Sequence, residues 1–288
     1  MSRPRTAVVT IAHGRHEHLR GQGWGLLQQT QQPDDYVVVA MGDPDIADVA
    51  HEQHPDALVV ELPADPADLP LARARNAGAE AAVAAGAEVL VFLDVDCIPE
   101  PTTVERYAAV LASDLASAPV VACGEVRYLP AVAHPRDYRL PGLAERAEPH
   151  PSRPAPVRDA VLAGADVRLF WSLSFAVRTP DWRALGGFDE AFSGYGAEDT
   201  DFGQRLAAAH GELLWVGGAA AYHQHHPTEV PPVRHLRSIV RNANVFHDRW
   251  GWFPMEGWLA ELEARHLAEL DASTGRWRVR DWPRPGPS

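Results

Sequence analysis

A short apolar run, Val89–Leu93, ends abruptly in two carboxylates, Asp94 and Asp96, and a proline follows at Pro99. Side chains alternate between the faces of a strand, so both carboxylates can point the same way at its carboxyl end. In open α/β sheets that edge is where ligands bind. Two neighbouring carboxylates repel each other unless a cation lies between them, or between them and a phosphate. The motif therefore indicates a divalent metal that holds a diphosphate, although an acidic turn after a strand would give the same short pattern.

Strand-like and helix-like segments alternate along the first part of the chain. Strands are predicted at 8–12, 36–40, 58–62 and 89–93, and helices at 16–30, 46–53, 71–85 and 102–115. This alternation predicts an α/β fold, in which helices flank both faces of a mostly parallel sheet.

The pattern is less regular in the second part of the chain. After a strand at 120–126, prolines are frequent over 129–156, which predicts an extended loop that crosses the domain. Strands are predicted at 170–177 and 213–216, and helices from Asp199 to about Gly211, at 234–250 and at 256–270. A proline-rich, frayed tail is predicted beyond residue 274.

Composition excludes several classes of function. The net charge of -13 at pH 7 argues against a nucleic-acid partner, which would require a basic surface. The chain contains no lysine, which excludes Schiff-base chemistry and a P-loop. Its two cysteines, Cys97 and Cys123, are too few for a disulfide framework and fit a reducing cytoplasm. We expect a cytoplasmic protein with no signal peptide and no transmembrane segment, because no stretch has the ~20 apolar residues of a membrane span.

A second acidic group follows a glycine-rich segment. The glycines between residues 186 and 196 permit close backbone approach and positive φ angles before Glu198 and Asp199. These two residues are placed at the start of a helix, where unpaired amides favour a carboxylate. A carboxylate held in a cleft is a candidate general base, although an ordinary acidic helix N-terminus would contain the same residues.

Four blocks of the sequence, taken in order, resemble those of glycosyltransferases with the GT-A fold, from the large inverting family two, and share features with galactosyltransferases. The blocks are Val8-Val9-Thr10-Ile11-Ala12 with Arg15, Ala72-Arg73-Ala74-Arg75-Asn76-Ala77-Gly78, Asp94-Val95-Asp96 with Ile98-Pro99, and Gly186-Gly187-Phe188-Asp189-Glu190 leading to Glu198-Asp199. Each block is short, but the ordered set is specific and extends roughly from residue 8 to residue 226.

The resemblance implies a Rossmann-like GT-A domain over residues 1–230, with a nucleotide-sugar half at about 1–128 and an acceptor half at about 157–230. Residues 231–288 would form a C-terminal helical extension and tail. The implied enzyme transfers a sugar from a nucleotide diphosphate sugar, a UDP-sugar, to an acceptor hydroxyl with inversion. The acceptor would be a carbohydrate, a lipid-linked sugar or a small molecule.

The resemblance also implies roles for individual residues. Asp199 would be the general base, with Glu198 beside it. The metal, Mn²⁺ or Mg²⁺, would be bound by Asp96, Asp94, His223 and His225. The donor would contact Ala12, Arg15, Asp43, Arg73, Asn76, Asp94 and Val95, and the acceptor would contact Trp171, Tyr195, Gly196 and Glu198. Arg75 could equally be a surface charge.

The chain departs from the family pattern in two places. Tyr195-Gly196-Ala197 stands where Trp-Gly-Gly often precedes the Glu-Asp pair, so an aromatic platform remains but the acceptor can differ. Met41-Gly42-Asp43-Pro44-Asp45 replaces the usual acidic turn after the second strand, and we favour Asp43 as the contact to the base.

The histidine-rich segment 223–226 offers metal ligands. Ala-Tyr-His-Gln at 221–224 resembles the bacterial chondroitin polymerases, which favours His223, and His225 shares its face if the segment is extended. A zinc site built from the histidines alone and a solvated histidine cluster are the alternatives.

Other readings of the whole chain remain. A nucleotidyltransferase would require a glycine-rich loop with a basic residue after the first strand, and the segment 12–15 contains one glycine. A non-catalytic nucleotide-sugar-binding module and a retaining GT-A enzyme are further alternatives. In the C-terminal segment, a core, a partner chain of a homodimer or an acceptor lipid could cover Trp258, Leu259, Leu262 and Leu267, and we favour core packing or a dimer contact.

Overall fold

The computed structural model describes residues 3–113, 118–139 and 141–280. The strands are β1 (Thr6–Ala12), β2 (Asp35–Met41), β3 (Leu58–Leu62), β4 (Val89–Leu93), β5 (Cys97–Pro99), β6 (Val120–Tyr128), β7 (Glu148–Pro149), β8 (Val161–Gly164), β9 (Ser174–Arg178), β10 (Glu212–His223), β11 (Ala268–Asp271) and β12 (Arg276–Val279). The helices are α1 (His16–Leu27), α2 (Asp45–His51), α3 (Leu71–Ala84), α4 (Thr103–Ala112), α5 (Leu143–Arg146), α6 (Thr179–Leu185), α7 (Glu198–Ala208), α8 (Leu236–Trp250) and α9 (Glu256–Ala264). Short 3-10 helices lie at Pro135–Arg139, Val167–Leu169 and Val233–His235.

One large sheet forms the centre of the molecule. Its main path is β3-β2-β1-β4-β9-β6-β10-β5, with β7 paired to β6 and β8 paired to β10. The strands β1, β2, β3, β4, β6 and β10 run in one direction, and β5, β7, β8 and β9 run in the opposite direction. The predicted α/β fold with a mostly parallel sheet is therefore confirmed.

The two faces of the sheet bury alternate residues of the same strands. Val8 and Val91 face a core that includes side chains of α1, α2 and α4. Val9 and Phe92 face the opposite core, which α3, α6 and α7 complete. This period of two is what a strand covered on both sides requires, and it explains why β1 and β4 are continuous apolar runs.

The carboxyl ends of β1, β4, β6 and β10 lie at the same edge of the sheet, because these strands run in the same direction. Strand β5 folds back along β10, so that Cys97 lies opposite His223. Residues that directly follow β4 and β10 are thereby brought together, although about 130 positions separate them in the sequence.

Two segments differ from the predicted structure. Helix α9 ends at Ala264, where His266 adopts a φ of 58°, and residues 268–271 pair with 276–279 as an antiparallel hairpin. The predicted helix over 256–270 and the predicted frayed tail from residue 274 are therefore wrong for these residues, and residues 281–288 lie outside the described ranges. The C-terminal extension is helical only in part.

The proline-rich segment 129–156 is packed rather than simply extended. Leu129, Tyr138 and Leu143 form a cluster with Ile98 and Tyr222, which belong to β5 and β10. Within the described ranges of the chain, no helix combines the length and apolar character needed to cross a bilayer.

Candidate active site

The turn after β4 separates the two carboxylates of the acidic motif. The Cys97 amide donates to the Asp94 carbonyl oxygen at 2.8 Å, and the Asp96 carbonyl oxygen accepts from the Gln224 amide at 2.8 Å. Asp94 and Asp96 consequently have different partners, a buried arginine and two histidines.

Asp96 is almost completely buried and lies beside His223 and His226. Its Oδ1 is 3.5 Å from Nε2 of His223, and its Oδ2 is 3.3 Å from Nε2 of His226 and 4.0 Å from a guanidinium nitrogen of Arg15. Burial raises the pKa of Asp96, but the hydrogen bond from His226 and the charge of His223 outweigh it and bring the pKa to about 2. The carboxyl group is therefore ionised throughout the neutral range.

The histidine group differs in one member from the group expected from the sequence. His223 is the last residue of β10. The next residue, Gln224, donates its backbone amide to the carbonyl oxygen of Asp96, which holds the following segment beside Asp96. His226 is thereby brought back to Asp96, whereas His225 is exposed. Asp94 also lies outside this group and contacts Arg75 instead.

The chemistry of the Asp96, His223 and His226 group fits a divalent cation. One ligand atom from each residue can be chosen so that all three lie within 4.8 Å of one another. Asp96 Oδ1 is buried and has no hydrogen-bond partner among the residues that the structure describes. A buried carboxylate oxygen without a partner is costly unless a cation or water satisfies it.

Arg75 occupies the centre of the site, although the sequence allowed it to be a surface charge. Its buried guanidinium lies 3.0 Å from Oδ1 of Asp94 and 3.3 Å from Oε1 of Glu198. Arg73, the arginine assigned to the donor, is exposed. Burial raises the pKa of Asp94, and the neighbouring Arg75 opposes that shift.

Glu198 and Asp199 form the first turn of α7. Glu198 is buried, and its Oε2 has no hydrogen-bond partner among the described residues. Asp199 is partly exposed, and its Oδ1 accepts from the Thr200 amide at 2.7 Å. Burial and the negative charge of Asp199 raise the pKa of Glu198 to about 7, and burial raises the pKa of Asp199 although Arg75 opposes it. Both pKa values are therefore raised, as is common for groups that exchange protons in an active site.

The loop before α7 presents Tyr195 beside this pair. The tyrosine ring is 38% exposed and stacks on the rings of His235 and Trp258, at centroid distances of 4.7 and 5.8 Å. Burial and the charges of Glu198 and Asp199 raise the pKa of Tyr195 to about 12, so its hydroxyl stays protonated as a hydrogen-bond donor.

The ends of β1 and β2 carry a second polar cluster. Asp43 accepts from the Gly14 amide at 2.7 Å and lies 2.9 Å from Nε2 of His16. Burial raises the pKa of Asp43, but these hydrogen bonds outweigh it and lower the pKa below the usual range. Ala12 is the buried last residue of β1, and Arg15 lies three residues later, with its guanidinium near Asp96.

Val95 and Asn76, two other residues predicted to contact the donor, make contacts within the protein. Val95 packs against the core beneath the acidic turn. Asn76 exchanges hydrogen bonds with the backbone of Phe188, at 2.8 and 2.9 Å, and so fixes the glycine-rich segment to α3.

A group of aromatic side chains lies near His223, one of the candidate metal ligands. Trp171 meets His150 edge to face at 4.7 Å, and Tyr128 lies over His223 at 5.0 Å. The guanidinium of Arg153 is buried between Trp171 and Trp215, at 5.2 and 4.8 Å from their ring centroids. No sequence pattern identifies His150 or Arg153, because the segment around them has no periodicity.

Sequence comparisons relate the chain to glycosyltransferases. A family model described as the N-terminal domain of galactosyltransferase matches residues 165–228, which contain α6, α7 and β10. Validoxylamine A glucosyltransferase of Streptomyces hygroscopicus subsp. limoneus is 29% identical over 233 residues, or 74% of this chain and 50% of that protein. The protein of the same name from S. hygroscopicus subsp. jinggangensis (strain 5008) is 32% identical over 163 residues, or 51% of this chain and 37% of that protein. The chain thus spans about half or less of these relatives.

Two solved structures share the fold. GalNAc-T7 with UDP, GalNAc and Mn²⁺ aligns with a TM-score of 0.56 and 15% identity, over 87% of this chain and 49% of that chain. The mannosyltransferase PcManGT from Pyrobaculum calidifontis, in complex with GDP-Man and Mn²⁺, aligns with a TM-score of 0.56 and 18% identity, over 92% of this chain and 76% of that chain. The chain therefore has the GT-A fold expected from its sequence, and the family model and both curated relatives connect it with glycosyltransferases.

Proposed function

We propose that the chain is a metal-dependent glycosyltransferase, which moves a sugar from a nucleotide diphosphate sugar to an acceptor hydroxyl. The observation that carries this proposal is the buried carboxylate of Asp96, which has two histidine nitrogens beside it and one oxygen without a partner. It lies at the same sheet edge as Glu198 and Asp199, whose pKa values are raised. A cation can offset the charge of a departing diphosphate, and a proton acceptor beside it can activate the attacking hydroxyl, so the two groups together suit this transfer.

Asp96, His223 and His226 would hold the cation. A divalent ion at this position would offset the charge that develops on the departing diphosphate. Two imidazole nitrogens are poor ligands for Mg²⁺, which prefers oxygen, so we favour Mn²⁺ over Mg²⁺. Both structural neighbours are described with Mn²⁺, which supports this preference.

Asp199 is our choice for the general base. Its side chain is partly exposed and can reach an incoming hydroxyl, whereas Glu198 is buried and is paired with Arg75. Glu198 would fix the guanidinium of Arg75 beside Asp199. Asp199 would take the proton of the acceptor hydroxyl as its oxygen attacks the anomeric carbon from the face opposite the diphosphate. The new glycosidic bond would form as the bond to the diphosphate breaks, and the anomeric centre would be inverted.

The donor would lie across the sheet edge between Asp43 and Asp96, and we favour a UDP-sugar. The two fold neighbours are described with UDP and with GDP-Man, so the preference for uridine rests on the family resemblance of the sequence motifs. The curated relatives, which are named glucosyltransferases, favour glucose. The acceptor would meet Tyr195, Gly196 and Trp171. The relatives are named for one discrete compound, validoxylamine A, and not for a polymer or a lipid-linked sugar, so they favour the small-molecule class among the acceptors considered above.

The test is turnover of UDP-glucose with Mn²⁺ and methyl β-glucoside, followed by NMR of the anomeric proton of the product. We expect inverted product from the wild type, and from Asp199→Asn a fall in rate on the order of 100-fold or more with nucleotide binding retained. Product of retained configuration would contradict the role of Asp199 and support the retaining alternative. Nucleotide binding without turnover of any UDP-sugar would support the non-catalytic module.

A further inference from the structure

Helix α8 lies directly against the loop that carries Tyr195 and leads into α7. Asn242, a fully buried residue of α8, donates from its side-chain nitrogen to the carbonyl oxygens of Ser193 and Gly196, both at 2.9 Å. The same nitrogen lies 3.4 Å from the carbonyl oxygen of Tyr195. A single side-chain amide therefore contacts three backbone carbonyl groups of one short loop.

This loop has an unusual backbone that needs support from its surroundings. Gly194 and Gly196 have φ angles of 68° and 97°, and Ala197, the residue before α7, has a φ of 74°. A left-handed conformation is strained for a non-glycine residue, and it persists where neighbouring contacts fix it. Ala197 is buried against Phe246 of α8, so the same helix supplies both the hydrogen bonds and the packing.

Other residues of the C-terminal segment hold the same loop. Arg241 pairs with Asp68 at 3.0 Å and also donates to the Ser193 carbonyl oxygen, and Asp68 accepts from the Ser193 hydroxyl at 3.2 Å. His235 and Trp258 stack on Tyr195, as described above. The loop is thus fixed between the segment before α3 and the C-terminal helices.

We propose that Asn242 is a positioning residue for the acceptor, an inference that rests on the proposed function. Asn242 holds the loop 193–197, and this loop sets the place of the Tyr195 ring relative to Asp199 in the first turn of α7. Asn242 touches neither Asp96 nor the histidines, so its effect falls on acceptor binding and transfer and not on nucleotide binding. Acceptor recognition therefore depends on α8, which lies beyond the segment matched by the galactosyltransferase family model.

Asn244 provides a matched control on the same helix. It is buried to a similar extent, but its side chain donates to the Trp277 carbonyl oxygen at 2.8 Å and accepts from the Trp277 amide at 2.9 Å. It therefore fixes α8 to the hairpin of β11 and β12 and not to the acceptor loop. Loss of either asparagine removes the same chemical group from the same helix, so only the loop contact differs.

The experiment compares Asn242→Asp, Asn242→Ala and Asn244→Ala by two readouts. Asn242→Asp keeps the shape of the side chain but places carboxylate oxygens against the three carbonyl groups, so it separates loss of the donor from loss of volume. Hydrogen exchange of amides 193–199 measures the loop directly. Kinetics with UDP-glucose, Mn²⁺ and methyl β-glucoside give KM for the acceptor, KM for the donor and kcat.

We expect both Asn242 variants to show faster exchange at 193–199. We also expect kcat/KM for methyl β-glucoside to fall on the order of 10- to 100-fold, with KM for UDP-glucose unchanged. Asn244→Ala should leave both readouts at wild-type values. Asn242 variants with wild-type exchange, or with faster exchange and wild-type acceptor kinetics, would overturn the inference. A wild type that neither binds nucleotide nor turns over would refute the proposed function instead, and the exchange data would still show whether Asn242 holds the loop.

Discussion

Arg75 links the two acidic parts of the site through one buried guanidinium, which contacts Asp94 and Glu198. Removal of one partner from a buried ion pair leaves an uncompensated charge. We therefore expect Arg75→Met, which keeps most of the volume, to lower the free energy of unfolding by about 3 kcal/mol at pH 8. The loss should be smaller at pH 5, where the carboxyl groups take up protons.

Urea unfolding at the two pH values measures this effect. Arg73→Met is the control, because Arg73 lies two positions away on the exposed face of the same helix and should change the free energy of unfolding by less than about 0.5 kcal/mol. Equal losses for the two variants would contradict the central position of Arg75.

The raised pKa values of Glu198 and Asp199 predict the pH dependence of the transfer rate. A base must be ionised to accept a proton, so activity is present above the raised pKa and is lost as the pH falls through it. We expect an acidic limb with a midpoint well above the value of about 4 for ordinary carboxyl groups, and we expect Arg75→Met to move it to still higher pH. Rates measured from pH 4.5 to 9 test this, and a limb near pH 4 would contradict the role of the pair.

Some roles of single residues could be read from the sequence and others could not. Arg75 has helical spacing with Ala72, Ala79 and Ala82 on the buried face of α3, and this spacing indicates that Arg75 is buried. The usual exposure of arginine hid that signal. No pattern identified His226, because the strand rule that favoured His225 fails once β10 ends at His223.

At the scale of elements, the close approach of α3 to β1 and β2 explains the glycine of the second sequence block. A Cβ on Gly78 would lie 2.5 Å from Cγ1 of Val9 and 3.0 Å from Cγ2 of Val39. We expect Gly78→Ala to destabilise the protein by about 1–3 kcal/mol through overpacking, although alanine is the better helix former.

Gly257 is the matched control for this prediction. It lies in the first turn of α9, and a Cβ there would meet nothing within 4 Å. Gly257→Ala should therefore stabilise the protein by up to about 1 kcal/mol. Thermal unfolding of the two variants checks the signs, and a stabilising Gly78→Ala would contradict the close packing of α3.

The elements that the sequence missed are short or depend on distant partners. Strand β5 has three residues and exists because it pairs with β10, and β7 and β8 are similarly short edge strands. The hairpin of β11 and β12 is stabilised by packing against α8 and α9, through Ala268 and Trp277. Such elements have little periodicity of their own, since tertiary contacts decide them.

At the scale of the whole molecule, the sequence was sufficient for the fold class, and it predicted the edge of the sheet where the candidate site lies. The continuous apolar runs of β1 and β4 predicted strands buried on both faces, and the acidic turn predicted the ligand edge. The domain boundary at residue 230 stays a prediction. Across it, Asn242 of α8 donates hydrogen bonds to the loop before Glu198. The sequence held no signal for that contact, because Asn242 and Ser193 are joined only by the tertiary fold.

The thermal stability of the protein with UDP or GDP, each with and without Mn²⁺, tests the central claim most directly. A ligand that binds only the folded state stabilises it by roughly 2.7 kcal/mol at 100 times its dissociation constant. We predict an upward shift with UDP and Mn²⁺ together, which is lost with chelator and in Asp96→Asn. An unchanged melting temperature with both nucleotides, or an equal shift in Asp96→Asn, would contradict a metal-diphosphate site at Asp96, His223 and His226.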